Sequence, residues 1–153
     1  MSIPSLYEWV GGIDALKALT KRFYEKVPSN EILNPIFKDM SPEHPEHVAK
    51  FLAEVFGGPK DYSNKHGGHP EMVRHHLNKN LTNEQRKAWL ALFLDTADEL
   101  KLPDDPEFRS ALISYLEWGT RLAVINSQPN ASVDPEATMP SWGWGEVKGP
   151  YNP

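Results

Sequence analysis

The sequence predicts an all-α protein, and three observations carry that prediction. Several segments place apolar residues at helical spacing, and one of them fits the i, i+3, i+4, i+7, i+8 pattern in full. That stripe consists of Val48, Phe51, Leu52, Val55 and Phe56. Residues that end helices follow the apolar stripes, and Gly57-Gly58-Pro59 follows this one. No segment alternates apolar and polar residues between two turns, as a half-buried strand would.

In the first half of the chain, the sequence pattern predicts a short opening segment and two longer helices. Gly11 and Gly12 end the opening segment, and the first long helix ends near Pro28. Its apolar stripe consists of Leu16, Leu19 and Phe23, with Tyr24 beside them. The brief apolar stretch "EILNPIF" follows, and "SPEHPE" then begins the helix that carries the stripe from Val48 to Phe56.

The second half predicts a loop and three more helices. Residues 60–68 are polar and predict the loop, after which His69-Pro70 starts a short helix with proline at its first position. Thr82 and Gln85 form a capping box at the start of the next helix. Its apolar stripe consists of Trp89, Leu92, Phe93, Thr96, Ala97 and Leu100. After the turn "KLPDDPE", a last helix runs to about Ile125.

The 153 residues predict one domain, over residues 1–126, followed by an irregular extension over residues 127–153. The extension is rich in Pro, Ser, Asn and Gly, which is typical of irregular structure. It also carries Trp142 and Trp144, which a free tail has little reason to expose. These side chains either dock on the protein's own surface or bind a partner.

The composition excludes several kinds of site and partner. The chain has no cysteine, which excludes a disulfide framework, an iron–sulfur cluster, a thiolate zinc site and covalently attached c-type haem. Its formal charge of -5 gives no electrostatic footprint for nucleic acid. No apolar run approaches the roughly 20 residues that span a membrane, and the N-terminus lacks a signal-peptide pattern. We therefore expect a cytoplasmic protein with no membrane or nucleic-acid partner.

The stretch "GGHPEMVRHHLNKNL" places two histidines side by side on a predicted helix. Adjacent helical positions are about 100° apart, so His75 and His76 cannot face the same place. His76 shares a face with Met72 and Val73, whereas His75 lies nearer the helix flank, beside Glu71. His76 is therefore either a hydrogen-bonded core histidine or a ligand.

Other polar groups lie at the edges of apolar stripes on different helices. Tyr24 and Trp89 carry donors that need partners when they are buried. Each donor either bonds to a backbone carbonyl, or both converge on a small ligand that accepts hydrogen bonds. His44 and His47 lie on the apolar face of the third helix, where they could bind zinc, although no H-E-x-x-H motif accompanies them.

Five short segments carry a resemblance to a known family. They are "RFYEKV" (22–27), "NPIF" (34–37), "FLAEVFGGPKDYS" (51–63), "GHPEMVRHH" (68–76) and "KAWL" (87–90). Their order and spacing resemble those of the truncated, two-over-two haemoglobins of group II, and the resemblance covers about residues 5 to 126. It implies a two-over-two helical sandwich around haem b, which is iron protoporphyrin IX.

The resemblance implies roles for residues at the matching positions. His76 falls at the proximal ligand of the haem iron, and His69 has a structural place at the helix start. Tyr24 and Trp89 fall at the distal tyrosine and tryptophan of the family. Further contacts with the haem are implied for Phe37, Phe51, Leu52, Met72, His75 and Leu77 and, at a propionate, for Lys60 and Tyr62.

The distal side departs from the family pattern at one position. His44 stands where a small residue is common, and it could gate the pocket, bond to a ligand or coordinate the iron. Pro42 and Pro45 affect the local backbone, so His47 is the alternative inward-facing histidine. Val48 stands where some relatives carry a polar side chain, and it makes the expected pocket drier.

The resemblance implies a haem protein that reversibly binds O2 and other small ligands such as NO, CO, peroxide or sulfide. Two distal donors predict slow oxygen release, which favours sensing, scavenging or redox chemistry over simple oxygen transport. The alternative is an enzyme, either an NO dioxygenase or peroxidase-like, that works with a reductase. A competing class is a non-haem helical protein whose histidines bind zinc or fill a core, or whose extension binds a partner. The oligomeric state is left open.

Overall fold

The computed structural model describes residues 2–150, and within that range every regular element is helical. The α-helices are α1 (Leu6–Val10), α2 (Gly12–Lys26), α3 (Asn34–Phe37), α4 (His44–Val55), α5 (Asp61–His66), α6 (Gly68–His76), α7 (Asn83–Glu99) and α8 (Pro106–Asn126). Short 3-10 helices cover Val27–Ser29 and Gly145–Val147. None of the described helices is both long and apolar enough to cross a membrane. The all-α prediction is confirmed.

Local capping explains where three helices begin. The Thr82 hydroxyl accepts from the Gln85 amide at 3.1 Å, and the Gln85 side chain accepts from the Thr82 amide at 3.0 Å, as the capping box predicted. Ser5 and Glu8 form the same arrangement at α1. Asp105 accepts from the Phe108 amide at 3.0 Å and begins α8.

The core lies where two helix pairs meet. The main packing partner of α2 is α4, α7 packs on α8, and a contact between α2 and α7 joins the pairs in a two-over-two arrangement. Phe23 of α2 and Phe93 of α7 are fully buried, with ring centroids 5.4 Å apart. Burying a large apolar side chain contributes about 1.5–3 kcal/mol, so such contacts hold the helices in their relative positions.

One local prediction is wrong. Residues 60–68 form a loop only in part, since α5 covers Asp61–His66 within them. Tyr62 is buried and packs edge-on against Phe51 of α4, with ring centroids 5.1 Å apart. Glu54 of α4 also accepts from the Ser63 amide at 2.8 Å. A six-residue helix is not stable by itself, so these contacts with α4 make it form.

The C-terminal segment after α8 lies against the rest of the molecule. The Trp142 amide donates to the Val55 carbonyl at 2.8 Å, and the Trp144 indole donates to the Pro4 carbonyl at 2.7 Å. The two rings also pack edge-on against Tyr115 and Trp9, respectively. Of the two alternatives for these tryptophans, docking on the protein's own surface is the one observed. Residues 151–153 lie outside the described range.

Candidate functional site

His76 is the last residue of α6, and its ring is oriented by the helix itself. Nδ1 lies 2.8 Å from the Met72 carbonyl oxygen, one helical turn earlier. A carbonyl only accepts, so Nδ1 carries the hydrogen and Nε2, on the other side of the ring, carries a lone pair. Burial lowers the pKa of His76 to about 4, although the bond to Met72 acts in the opposite direction. The imidazole is therefore neutral near pH 7.

His75 has a different environment. Its side chain is 58% exposed, and Nε2 lies 3.5 Å from Glu71 Oε1 on the same helix. The residue therefore faces the flank of α6, as the helical spacing predicted. Of the adjacent histidines, His76 is partly buried and His75 is exposed.

Tyr24 of α2, which is buried, and His44 of α4, which is partly buried, form a polar pair. The Tyr24 hydroxyl lies 3.1 Å from His44 Nε2, and the two rings meet edge-on with centroids 5.0 Å apart. Burial raises the pKa of Tyr24 well above its usual range. Burial also lowers the pKa of His44 to about 4, with smaller contributions from nearby groups that include His75 and His76. Both members of the pair are neutral near pH 7. One hydrogen therefore lies between the Tyr24 oxygen and His44 Nε2.

Two more aromatic residues lie around this pair. Phe37, the last residue of α3, packs against Tyr24 with ring centroids 5.5 Å apart. Trp89 of α7 stacks on Phe93 at 4.7 Å and contacts Phe23 at 5.2 Å. The Trp89 indole lies near the Tyr24 phenol and partly opposes the rise in its pKa. Side chains from α3, α4 and α7 therefore surround the Tyr24 side chain of α2.

The structure separates the two candidate histidines of α4. His44 contacts Tyr24, whereas the ring of His47 lies 4.3 Å from the ring of His66 in α5. Nε2 of His66 is buried and has no hydrogen-bond partner among residues 2–150. His66 carries no sequence signal of its own, because its contact with His47 depends on the packing of α4 against α5.

The predicted apolar residues of the site fall into two environments. Phe51 and Leu52 are buried in the core. The side chains of Val48, Met72 and Leu77 are only partly buried.

The two predicted propionate partners differ in their exposure to solvent. Tyr62 is buried, and its burial, assisted by Glu71 and Glu54, raises the pKa of its phenol to about 12. Lys60 is exposed. It lines a cleft of about 600 Å³ between the start of α6 and residues 135–141 of the C-terminal segment.

The donor set fits a haem group. Globin iron is held by one neutral imidazole and keeps the opposite position open for a ligand. His76 is neutral and has Nε2 available, because the Met72 carbonyl occupies Nδ1. Tyr24 and Trp89 offer donors on other helices, and partly buried apolar side chains such as Met72 offer surface for a porphyrin.

Comparison with known proteins gives consistent matches over most of the chain. The family model of the bacterial-like globins matches residues 5–118. The group 2 truncated hemoglobin YjbI of Bacillus subtilis (strain 168) is 36% identical over 122 residues, which are 80% of this chain and 89% of that protein.

Solved structures agree. The group II truncated hemoglobin of Bacillus anthracis is similar with a TM-score of 0.73 and 26% identity, covering 83% of this chain and 95% of that chain. The truncated oxygen-avid haemoglobin of Bacillus subtilis is similar with a TM-score of 0.69 and 36% identity, covering 79% of this chain and 99% of that chain. The chain therefore belongs to the group II truncated haemoglobins, and it is a ligand-binding haem protein of the globin type.

Proposed function

We propose that this protein reversibly binds O2 and other small ligands, such as NO and CO, with haem b as its cofactor. When bound, the haem supplies an iron atom with one coordination position open to a small ligand. The observation that carries the proposal is the combination of a neutral, oriented His76 with two donors on other helices, the buried Tyr24 and the partly buried Trp89. Peroxide and sulfide are further proposed ligands, because they are also small.

On the proximal side, His76 is the proposed iron ligand. The Met72 carbonyl holds the hydrogen on Nδ1 and fixes the rotation of the ring, so that Nε2 is the coordinating nitrogen. His75 is proposed to contact only the haem edge, because its side chain is exposed. Apolar contacts with the haem are proposed for Phe37, Phe51, Leu52, Met72 and Leu77, and propionate contacts for Lys60 and Tyr62.

On the distal side, Tyr24 and Trp89 are the proposed donors to the ligand. Burial keeps the Tyr24 phenol protonated throughout the neutral range, so its hydrogen remains available. When Tyr24 donates to a ligand, His44 can carry its hydrogen on Nε2 and donate to the phenol oxygen. Val48 offers no competing polar group. Each donor to a charged acceptor contributes about 1.5–3 kcal/mol, or roughly 10- to 100-fold in release rate.

The direct test is a set of absorption spectra of the purified, haem-reconstituted protein in its ferric, ferrous and oxygenated forms. We expect an intense Soret band in each form and a stable oxygenated state. We also expect five-coordinate iron in the ligand-free ferrous form, because Tyr24 occupies Nε2 of His44. A protein without a Soret band is not a haem protein of this kind. A low-spin, six-coordinate ferrous form would instead make His44 an iron ligand.

A haem-dependent redox enzyme is the second candidate, and His44 favours it. A neutral imidazole beside a phenol can accept a proton from an incoming peroxide and return it later. The test compares peroxide consumption by the wild type, His44→Ala and the control His47→Ala, which lies on the same helix but contacts His66. Equal rates in all three proteins would remove the peroxidase-like role. This second proposal also includes NO dioxygenase activity and a reductase partner. We further propose a cytoplasmic location.

A further inference from the structure

The connection between α6 and α7 follows His76 directly and has a constrained backbone. Residues 77–81 join the end of α6 to the Thr82 cap of α7. Asn78 and Asn80 both have left-handed backbone angles, with φ of 62° and 49°. Side chains are sterically disfavoured in that region, although asparagine tolerates it better than most residues. Contacts from outside the connection are therefore expected to hold it in place.

Those contacts come from Ser127, the residue that follows α8. Ser127 has an exposed fraction of 0%. Its hydroxyl accepts from the Leu81 amide at 2.9 Å and donates to the Val124 carbonyl at 2.8 Å. Its carbonyl accepts from the Asn80 amide at 2.9 Å. One buried serine therefore holds two consecutive amides of the connection.

Gln128 adds a weaker contact at the same place. Its side-chain amide donates to the Leu81 carbonyl at 3.1 Å and to the Val124 carbonyl at 2.8 Å. Gln128 is exposed, so water competes for these bonds, whereas it does not reach the Ser127 hydroxyl. Both backbone polar groups of Leu81 are thus bound by the two residues that follow α8.

Little free chain separates this anchor from His76. The His76 carbonyl accepts from the Lys79 amide at 3.3 Å, and Asn80 is the next residue. Four residues span at most about 14 Å even when extended, and here they are turned back on themselves. His76 is also the last residue of its helix, and helix ends fray most readily. A displacement of residues 80–81 would therefore be carried into the turn that holds His76.

We propose that Ser127 is a positioning residue for His76. The Met72 carbonyl sets the rotation of the ring within α6, and Ser127 sets where the end of α6 lies relative to α8. Both are needed to aim Nε2 in one direction. The inference rests on the proposed role of His76 as the proximal ligand.

The test uses Ser127→Ala in the full-length, haem-loaded protein. This variant keeps the backbone carbonyl but removes the acceptor of the Leu81 amide. Ser114→Ala is the matched control, since it removes an exposed serine hydroxyl from α8 itself. Trp144→Phe is a second control, since it removes a bond of the C-terminal segment that ends on Pro4, away from the connection.

Three measurements are made on each protein. We expect Ser127→Ala to exchange the Asn80 and Leu81 amide hydrogens faster and to shift or broaden the iron–histidine stretching band of the ferrous form. We expect haem transfer to an excess of an acceptor globin to be about threefold to tenfold faster. Both controls should keep the wild-type band, transfer rate and exchange at residues 80–81, although Trp144→Phe should unfold at a lower temperature.

A Ser127→Ala protein with the band and transfer rate of Ser114→Ala would overturn the proposal, even if the Leu81 amide exchanged faster. If Ser127→Ala does not fold, Gln128→Ala replaces it, with a smaller change expected in the same direction; no change in band or transfer rate would again overturn the proposal. The role of His76 as the proximal ligand has a separate test. If the iron–histidine band survives in His76→Ala, His76 is not the proximal ligand, whatever Ser127→Ala shows.

Discussion

The proposed proximal and distal sides of the candidate pocket are built in opposite ways. On the proximal side, the His76 ring is oriented by a carbonyl four residues earlier on its own helix, at 2.8 Å. On the distal side, Tyr24 meets His44 of another helix at 3.1 Å, and Trp89 approaches the same phenol from a third helix. The first arrangement needs one helical turn, whereas the second needs the packing of α2, α4 and α7.

The two sides should therefore respond differently when one side chain is removed. The proposed proximal side depends on the imidazole of His76, and the adjacent His75 faces outward. The distal side shares its polar contacts among several side chains, so losing one leaves others in place. We therefore expect all-or-none behaviour on the proximal side and graded behaviour on the distal side.

The largest effect is expected from His76→Ala. Removing the imidazole should abolish stable haem retention, while His75→Ala, on the same helix, should retain haem like the wild type. Haem content after gel filtration measures the difference, and free imidazole added to His76→Gly should restore part of the spectrum. If His75→Ala were the variant that lost the haem, the two histidines would have to exchange roles.

A graded effect is expected from Tyr24→Phe. Loss of the phenolic donor should speed O2 release by roughly 10- to 100-fold, measured by stopped-flow displacement, because a hydrogen bond to a charged acceptor contributes about 1.5–3 kcal/mol. Trp89→Phe should act in the same direction. Tyr115→Phe is the matched control, since it removes a buried phenol that packs on Trp142 outside the pocket. Release at the wild-type rate in Tyr24→Phe would mean that the phenol does not reach the ligand.

The smallest effect concerns pH. The pKa of His44 is lowered to about 4 in the folded protein from an unfolded value near 6.5, so the unfolded chain binds more protons between these values. The contribution of His44 to stability is therefore complete above about pH 6.5 and is lost as the pH falls toward 4.

The measurement is the unfolding temperature of the haem-loaded wild type and of His44→Gln from pH 7 to 4.5. His44→Gln should lose less stability over this range than the wild type. Surface carboxyls such as Glu99, whose pKa is lowered chiefly by Arg22, lose their contribution only below the ordinary glutamate value, and so they fall outside the range. Identical pH profiles would show that the pKa of His44 is not lowered in the folded protein.

Sequence rules succeeded where a feature depends on one or two helical turns. The capping box of Thr82 and Gln85 needs only residues three positions apart, and it formed as predicted. The separation of His75 from His76 follows from helical geometry alone. The rules failed at residues 60–68, because α5 has no periodic pattern and forms through the contacts of Tyr62 and Ser63 with α4.

The sequence by itself determined the all-α class, most helix ends and which adjacent histidine faces the interior, since these depend on propensity, capping and a 3.6-residue period. Only the tertiary structure decided that His44 and not His47 meets Tyr24, because the two lie three positions apart on one helix and the neighbours on either side select between them. The docking of Trp142 and the anchoring of Leu81 by Ser127 are of the same kind. Each joins residues more than 40 positions apart, and no local pattern encodes such a contact.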